Sequence, residues 1–169
     1  MIKLTPFEPS DFDKLISWVD NEELLITIAG TYFTYPLTTV QLQNYVDDSN
    51  SLSFNILDIS QNKTIGHAEI ILNDDNCKLD KILIGDKSNR GKGIGELVIN
   101  ELLAYSFEIL KAKEVELYVY DWNIAGIKCY EKAGFTFNEQ KTLSTPVKDA
   151  TWIAKNMRID KDKWLSLSV

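Results

Sequence analysis

The sequence predicts an α+β fold built on a mixed, mostly antiparallel central sheet, and three observations lead to that prediction. Strand-like stretches at residues 52–59, 64–72 and 78–85 follow one another with only short polar turns between them, which favours an antiparallel meander. A single strand–helix–strand passage over residues 78–120 favours one parallel pairing through a right-handed crossover. Two further strand-like segments close the chain as an antiparallel pair. We therefore expect one domain, residues 1–169, with about four helices flanking the sheet.

The first part of the chain is predicted to form a strand and two helices. Residues 2–8 resemble a strand, and residues 9–20 carry apolar side chains at helical spacing, with Ser10 as the predicted N-cap. Residues 38–47 predict a second helix, capped by one of the two threonines at its start.

The second half of the chain alternates helices and strands. A helical face runs over residues 94–111, and residues 114–120 are rich in strand-forming types. Residues 123–134 then predict a helix that ends at a glycine. The closing strands are predicted over residues 135–143 and 150–159.

Charge and composition limit the partners that the chain can have. Asp and Glu outnumber Lys and Arg by 25 to 18, a net charge of −7, which argues against nucleic acid because an acidic surface repels a phosphate backbone. The charge suits a cationic acceptor, or it serves solubility alone. We expect a cytoplasmic protein without a membrane partner, since neither a signal-peptide pattern nor an apolar stretch of ~18 residues is found.

Cysteine and histidine are too few to predict a metal centre. Cys77 and Cys129 lack CxxC spacing, and His67 is the single histidine, so we expect free thiols and no bound metal. A cysteine–histidine nucleophile pair stays open as an alternative.

A glycine-rich stretch follows the third strand of the meander. The sequence NRGKGIGELV contains, in order, Arg90, Gly91, Lys92, Gly93, Ile94 and Gly95. Such a loop between a strand and a helix exposes backbone amides at a helix N-terminus, where hydrogen bonds and the helix dipole both favour phosphate. The P-loop pattern GxxxxGK[ST] and the dinucleotide pattern GxGxxG both fail on spacing. A flexible connector is the alternative, although it does not explain the arginine.

Two motifs together resemble a known superfamily. The pattern Arg-x-x-Gly-x-Gly, which begins at Arg90, resembles the pyrophosphate-binding signature of the GNAT superfamily of acyl-CoA-dependent N-acyltransferases. The stretch YDWNIAGIKCYEKAGF, residues 120–135, resembles its second hallmark: a strand end, an Asn, a helix bearing a Tyr and a Gly-Phe corner. Asn123 and Tyr130 are seven positions apart, so both can project from one side of that helix.

The resemblance implies a site for acetyl-CoA. In the family, the strand before the glycine loop splays from its neighbour and pairs with the pantetheine arm, while the loop amides hold the pyrophosphate. Asn123 is expected near the pantetheine, and Tyr130 is expected to hydrogen-bond the sulfur and protonate the leaving thiolate. The implied cofactor-binding positions are Leu83, Ile84, Gly85, Arg90, Gly91, Lys92, Gly93, Ile94, Gly95, Asn123 and Tyr130.

The general base is less clearly indicated. Many relatives have a glutamate five residues before the Asn, where this chain has Tyr118. Glu116, His67 and Asp80 stay open as alternatives, each able to relay a proton through water. We predict Glu69, because a carboxylate in mid-strand between apolar neighbours is expected to be partly buried with a raised pKa.

Aromatic residues are predicted to line the acceptor side. Tyr118, Tyr35 and Trp18 are assigned there, because an aromatic and acidic cleft suits a cationic amine. Core packing is the alternative reading for Trp18.

The end of the chain resembles the branch that contains ribosomal-protein N-terminal and aminoglycoside N-acetyltransferases. We therefore predict an acetyl-CoA-dependent N-acetyltransferase that acts by direct attack in a ternary complex. Its acceptor is predicted to be a primary amine of a small cationic molecule or of a protein N-terminus. The alternative is a non-catalytic module that senses acyl-CoA. A monomer or a homodimer is expected.

Overall fold

Seven strands form one sheet in the computed structural model, which describes residues 1–167. In chain order they are β1 (Ile2–Pro6), β2 (Ser51–Asp58), β3 (Lys63–Asn73), β4 (Asn76–Ile84), β5 (Glu114–Tyr120), β6 (Thr136–Val147) and β7 (Ala150–Asp160). Across the sheet they lie in the order β1-β2-β3-β4-β5-β7-β6. The α-helices are α1 (Phe12–Trp18), α2 (Glu22–Ala29), α3 (Thr39–Val46), α4 (Ile94–Ala104), α5 (Ile124–Lys132) and α6 (Lys161–Leu167).

The meander from β2 to β4 is antiparallel, as predicted, and β1 joins it as an antiparallel partner of β2. Its central strand β3 is buried continuously over residues 65–70, so both faces of the sheet are covered there. One cluster of buried apolar residues lies between the sheet and α4, and it includes Ile56, Ile70, Val98, Leu102, Leu103 and Leu117. A second joins the three N-terminal helices to β4 and includes Leu15, Leu25, Leu42, Tyr45 and Leu83.

The parallel pair of β4 and β5 is short, and the two strands then diverge. Their pairing covers only residues 76–78 against 114–116, whereas β5 pairs with β7 over its whole length. The mixed sheet with one splayed parallel pair is therefore confirmed. Beyond Lys78, the edge of β4 that faces β5 has no strand partner within residues 1–167.

Two helices were not predicted. Residues 22–29 form α2, whose N-cap Asn21 accepts a hydrogen bond from the Leu24 amide at 2.8 Å. Residues 161–167 form α6, so residues 1–167 contain six α-helices rather than about four. The β-branched run Ile26–Thr27–Ile28 weakens the helical signal of α2, because such residues favour strands.

The start of the first helix also differs from the prediction. Residues 9–11 form a 3₁₀ turn, and Glu8 with Asp11 makes a reciprocal capping box, so Ser10 is not the N-cap. The long helix after the glycine stretch is α-helical to Ala104 and continues as a π-helical turn over residues 105–109. Of the single domain predicted over residues 1–169, the last two positions lie outside the described residues.

Candidate active site

The open space of the molecule lies where β4 and β5 diverge. A large cavity of about 430 Å³ is bounded by α2, β4 and the β6–β7 hairpin. A small cavity of about 80 Å³ lies between β4, β5 and α5. The two meet at the splay, because both are lined by Thr27, Ile28, Leu79, Asp80, Lys81, Tyr118 and Tyr120.

The glycine stretch forms the loop that leads into α4. Gly91 and Gly93 have φ angles of +73° and +76°, and a Cβ on either would meet nothing within 4 Å. Backbone conformation rather than crowding therefore favours glycine there. Gly93 is the N-cap of α4 and supplies no side-chain cap. Within residues 1–167, none of the backbone amides from Gly91 to Glu96 has a hydrogen-bond acceptor, so this helix end is ready to bind an anion.

Two other glycines allow close packing. A Cβ on Gly95 would lie 3.4 Å from Sγ of Cys129, which reflects the close approach of α4 and α5. A Cβ on Gly85 would lie 2.0 Å from the ring of Trp18. Trp18 is thus held against the end of β4 and does not line either cavity.

The end of β4 is partly occupied by the loop that follows it. Leu83 is buried with the N-terminal helices, and Ile84 is half-buried. The Arg90 side chain is exposed and donates from Nε to the carbonyl of Ile84 at 3.0 Å. Lys92 is exposed beside the unpaired amides. Two positive charges therefore lie at the start of α4.

Asn123 and Tyr130 both line the small cavity. The Asn123 side chain caps α5 by accepting from the Gly126 amide at 3.0 Å. Within residues 1–167 the Tyr130 hydroxyl has no hydrogen-bond partner, which leaves it able to donate to a bound group. Burial raises the pKa of Tyr130 well above its usual range, and the adjacent Cys129 and Asp80 add to the effect. The hydroxyl is therefore protonated at neutral pH.

Glu69 lies beneath the site rather than in its wall. Its Oε2 is 2.5 Å from Nζ of Lys81, and both side chains are only 2% exposed. Burial raises the pKa of Glu69, while the Lys81 ammonium opposes that rise. Glu69 lines neither cavity, whereas Lys81 lines both.

Asp80 is the one carboxylate among the described residues that line the two cavities. Its Oδ1 accepts from the Lys81 amide at 2.8 Å, and its Oδ2 is 3.2 Å from Nζ of Lys78. The side chain is 28% exposed, so water reaches it. Asp80 therefore lies where the large cavity meets the small cavity that Tyr130 lines.

The other acid–base alternatives have structural partners. Nε2 of His67 lies 3.0 Å from the Tyr45 hydroxyl, and burial lowers the pKa of His67 to about 3, so the ring is neutral. Glu116 accepts from Lys141 at 3.0 Å and from Asn156 at 3.1 Å. Neither side chain lines a cavity.

The predicted acceptor residues are not all brought together. Tyr118 lines both cavities, whereas Tyr35 lines neither and donates from its hydroxyl to the carbonyl of Asp20 at 3.1 Å. Sequence reasoning missed Lys81. A signal was available, because Lys81 shares the buried phase of β4 with Cys77, Leu79 and Leu83, where a lysine is unusual.

Residues 1–167 hold no cluster of three or more His, Cys, Asp or Glu side chains suited to a metal ion. None of their helices has the length and apolar character needed to span a bilayer.

Comparison with known proteins yields one family and several relatives. The Acetyltransferase (GNAT) domain model matches residues 2–136. The N-acetyltransferase 9-like protein of Caenorhabditis elegans is 23% identical over 175 residues, which cover 94% of this chain and 85% of that protein. The spermine/spermidine N(1)-acetyltransferase of Bacillus subtilis (strain 168) is 35% identical over 60 residues, 36% of this chain and 39% of that protein.

A solved structure shares the fold. The spermidine N-acetyltransferase from Vibrio cholerae, in complex with CoA and spermine, has a TM-score of 0.82 and 22% sequence identity. The match covers 97% of this chain and 98% of that chain. At this level of identity the likeness establishes a common architecture.

Proposed function

The chain belongs to the GNAT acetyltransferase family, and from that premise we propose that it transfers the acetyl group of acetyl-CoA to a primary amine of a small molecule. The observation that carries the proposal is the divergence of β4 from β5 beside an α4 N-terminus whose amides are unpaired. A strand edge and a helix end together offer one site for an extended molecule with a charged phosphate end.

The residues around the glycine loop fit CoA. The free amides of residues 91–96 and the positive end of the α4 dipole suit a pyrophosphate, and Arg90 and Lys92 add positive charge. The unpaired edge of β4 suits an arm that carries amide groups, with Leu83, Ile84 and Gly85 at its far end. The Ile84 carbonyl already accepts one hydrogen bond, from Nε of Arg90.

Tyr130 is proposed as the proton donor. When bound, acetyl-CoA supplies an acetyl group held as a thioester, whose sulfur must leave as a thiol. The Tyr130 hydroxyl lies in the small cavity, lacks a partner within residues 1–167 and keeps its proton at neutral pH. These properties suit donation of a hydrogen bond and then of a proton to the departing sulfur. Asn123 stays beside it as the cap of α5.

The attacking amine must lose a proton, and two carboxylates are candidates. Glu69 was predicted from the sequence, but Lys81 separates it from both cavities. Asp80 lines both cavities and is reached by water, so we assign the proton acceptor to Asp80, acting directly or through water. Glu69 then acts only through Lys81.

The acceptor is proposed to bind in the large cavity. A volume of about 430 Å³ suits a small molecule, and Tyr118 supplies an aromatic face for a cationic amine. The relatives from B. subtilis and V. cholerae are both named for small amines, spermine and spermidine. A protein N-terminus is the second candidate, since the cavity opens beside the exposed end of the β6–β7 hairpin.

The first test measures the release of free CoA thiol from acetyl-CoA across a panel of amines. The panel contains alkyl monoamines, diamines, polyamines, aminoglycosides, amino acids and peptides with free N-termini. Turnover with one class supports the proposal and identifies that class. Binding of CoA without turnover of any amine would favour the acyl-CoA-sensing module instead, and failure to bind CoA would contradict both functions.

A further inference from the structure

The Lys81 ammonium group is enclosed by aromatic rings and a carboxylate. Its Nζ lies 4.1 Å from the ring centroid of Tyr32, 5.2 Å from that of Tyr45 and 5.9 Å from that of Phe33. We call these three rings the aromatic cage. Glu69 completes the enclosure, with its Oε2 2.5 Å from the same nitrogen.

Backbone geometry at β4 directs Lys81 into this position. The pairing of β3 with β4 shifts register between His67 and Glu69, and Lys81 has a φ angle of +48°. A non-glycine residue with positive φ is uncommon, and such strain persists where the surrounding contacts require it. The register shift thus lies at the position where Lys81 meets Glu69, and β-bulges are common near active sites.

The cage opens onto the large cavity. Tyr32 is 52% exposed, and both Tyr32 and Lys81 line the cavity wall. Rings with a carboxylate behind them form the arrangement that binds organic ammonium ions. In this chain, the Lys81 ammonium lies where the ammonium group of such a ligand would bind.

We infer that the aromatic cage and Glu69 form a cation-binding subsite of the acceptor cavity, and that the Lys81 side chain occupies this subsite. An acceptor molecule therefore places no second ammonium group there. The inference rests on the proposed function, because it takes the large cavity as the place where the acceptor binds. It makes Lys81 a specificity-determining residue that selects monoamines over diamines and polyamines.

The charges around the large cavity agree with this selection. Its charged lining residues are Lys78, Asp80 and Lys81, and each lysine already has a carboxylate partner. Among the described lining residues, no carboxylate is left over for a second ammonium group. A polycation therefore gains no net attraction there, and a monoamine meets only the Asp80 carboxylate, which it shares with Lys78.

The first experiment tests the subsite without any catalysis. Lys81→Ala removes the ammonium and leaves the cage with Glu69, and the melting temperature is measured with n-propylammonium chloride or with equimolar NaCl. We expect the amine to raise the Tm of this variant by about 3 °C and to leave the wild type unchanged. Lys81→Met is the matched control, because it removes the same charge but keeps the space filled. Lys81→Ala/Glu69→Gln, which lacks the counter-charge, is expected to lose the response.

Equal shifts in Lys81→Ala and Lys81→Met would overturn the inference. If Lys81→Ala is produced unfolded, its refolding in propylammonium but not in NaCl is the corresponding readout. The melting-temperature measurement does not depend on acetyl transfer. Failure of the subsite and failure of the proposed function are therefore distinguishable.

The second experiment uses the wild-type protein. Thiol release is compared for propylamine and 1,3-diaminopropane, which share a three-carbon chain and differ in the second ammonium group. We expect kcat/KM for the diamine to be lower by about tenfold, and Lys81→Ala to reduce or reverse that ratio. Equal use of both amines by the wild type would overturn the inference.

Discussion

Asp80 and Tyr130 line the same small cavity, Asp80 from β4 and Tyr130 from α5, on opposite sides of the splay. The carboxylate is one of the groups that raise the pKa of Tyr130, after the larger effect of burial. The proposed proton acceptor and the proposed proton donor therefore line one cavity, the acceptor on a strand and the donor on a helix. Acyl transfer from a thioester to an amine is helped by both groups, since the amine loses a proton and the departing thiolate gains one.

Replacing Tyr130 by Phe is expected to lower kcat for thiol release about 100-fold, because the departing sulfur loses its proton donor. The Kd for CoA is expected to change little, since the ring is retained. Tyr105→Phe is the control, because Tyr105 packs against Phe54 with ring centroids 5.1 Å apart and lines neither cavity. An unchanged kcat in Tyr130→Phe would remove Tyr130 from the mechanism.

Asp80→Asn is expected to lower kcat/KM about 100-fold at pH 7, with a deficit that shrinks as the pH rises. The reason is that an alkylamine with a pKa of about 10 arrives increasingly neutral at high pH and then needs no base. The amide keeps the oxygen that accepts from the Lys81 amide, so the local fold is retained. Glu116→Gln is the control, and a deficit in Asp80→Asn that is constant between pH 7 and 9.5 would argue against a base.

How far the sequence predicts the fold depends on whether a signal is local. Residues 114–120 were predicted as a strand, and β5 has these bounds, because a run of β-formers between polar residues is self-contained. The glycine stretch was likewise placed between a strand and a helix. Residues 22–29 carried conflicting local signals, a helix cap at Asn21 and a β-branched run, and packing against β4 decides for the helix.

In the candidate site, too, the residues that could be predicted are those whose geometry depends on local sequence. The motif that contains Asn123 and Tyr130 is contained within one helix and its cap, so its geometry follows from spacing. The position of Lys81 depends on the register of β3 against β4, which the sequence of β4 alone does not specify. Glu69 was expected to be partly buried, and its partner could not be named without that register.

His67 is expected to make the protein sensitive to acid. Burial lowers the pKa of His67 from 6.5 to about 3, so the folded state holds the neutral ring while the unfolded state takes up a proton. Its contribution is therefore complete above pH 6.5 and is lost as the pH falls toward 3, on the order of 5 kcal/mol in total. His67→Gln is expected to flatten the fall of Tm between pH 6.5 and 3.5. An identical slope in both proteins would show that other groups control acid unfolding.

Gly93→Ala is expected to weaken CoA binding about tenfold, because an alanine resists the φ of +76° at the N-cap of α4 and displaces the free amides that follow. Calorimetric titration with CoA gives the Kd directly. Gly30→Ala is the matched control, since Gly30 also has positive φ, +56°, and open space around it but lies at the end of α2. A similar loss of CoA affinity in both variants would indicate general destabilisation.

Two ion pairs of nearly equal length are expected to differ sharply in their effect on stability. Lys81–Glu69 is 2.5 Å long with side chains 2% exposed, and Lys113–Asp75 is 2.6 Å long with side chains at least 70% exposed. Glu69→Gln leaves a buried ammonium without a counter-charge, which costs about 3–5 kcal/mol and lowers Tm by roughly 10 °C. Asp75→Asn is expected to leave Tm unchanged, because water screens that pair.

The double variant Lys81→Met/Glu69→Leu separates loss of the pair from loss of packing. It removes both charges and keeps apolar volume, so most of the stability lost in Glu69→Gln is expected to return. Tm is measured at pH 7 for the wild type, Glu69→Gln, Asp75→Asn and the double variant. A double variant as unstable as Glu69→Gln would mean that the two side chains stabilise the fold through their shape, and that the unpaired ammonium is not the cause.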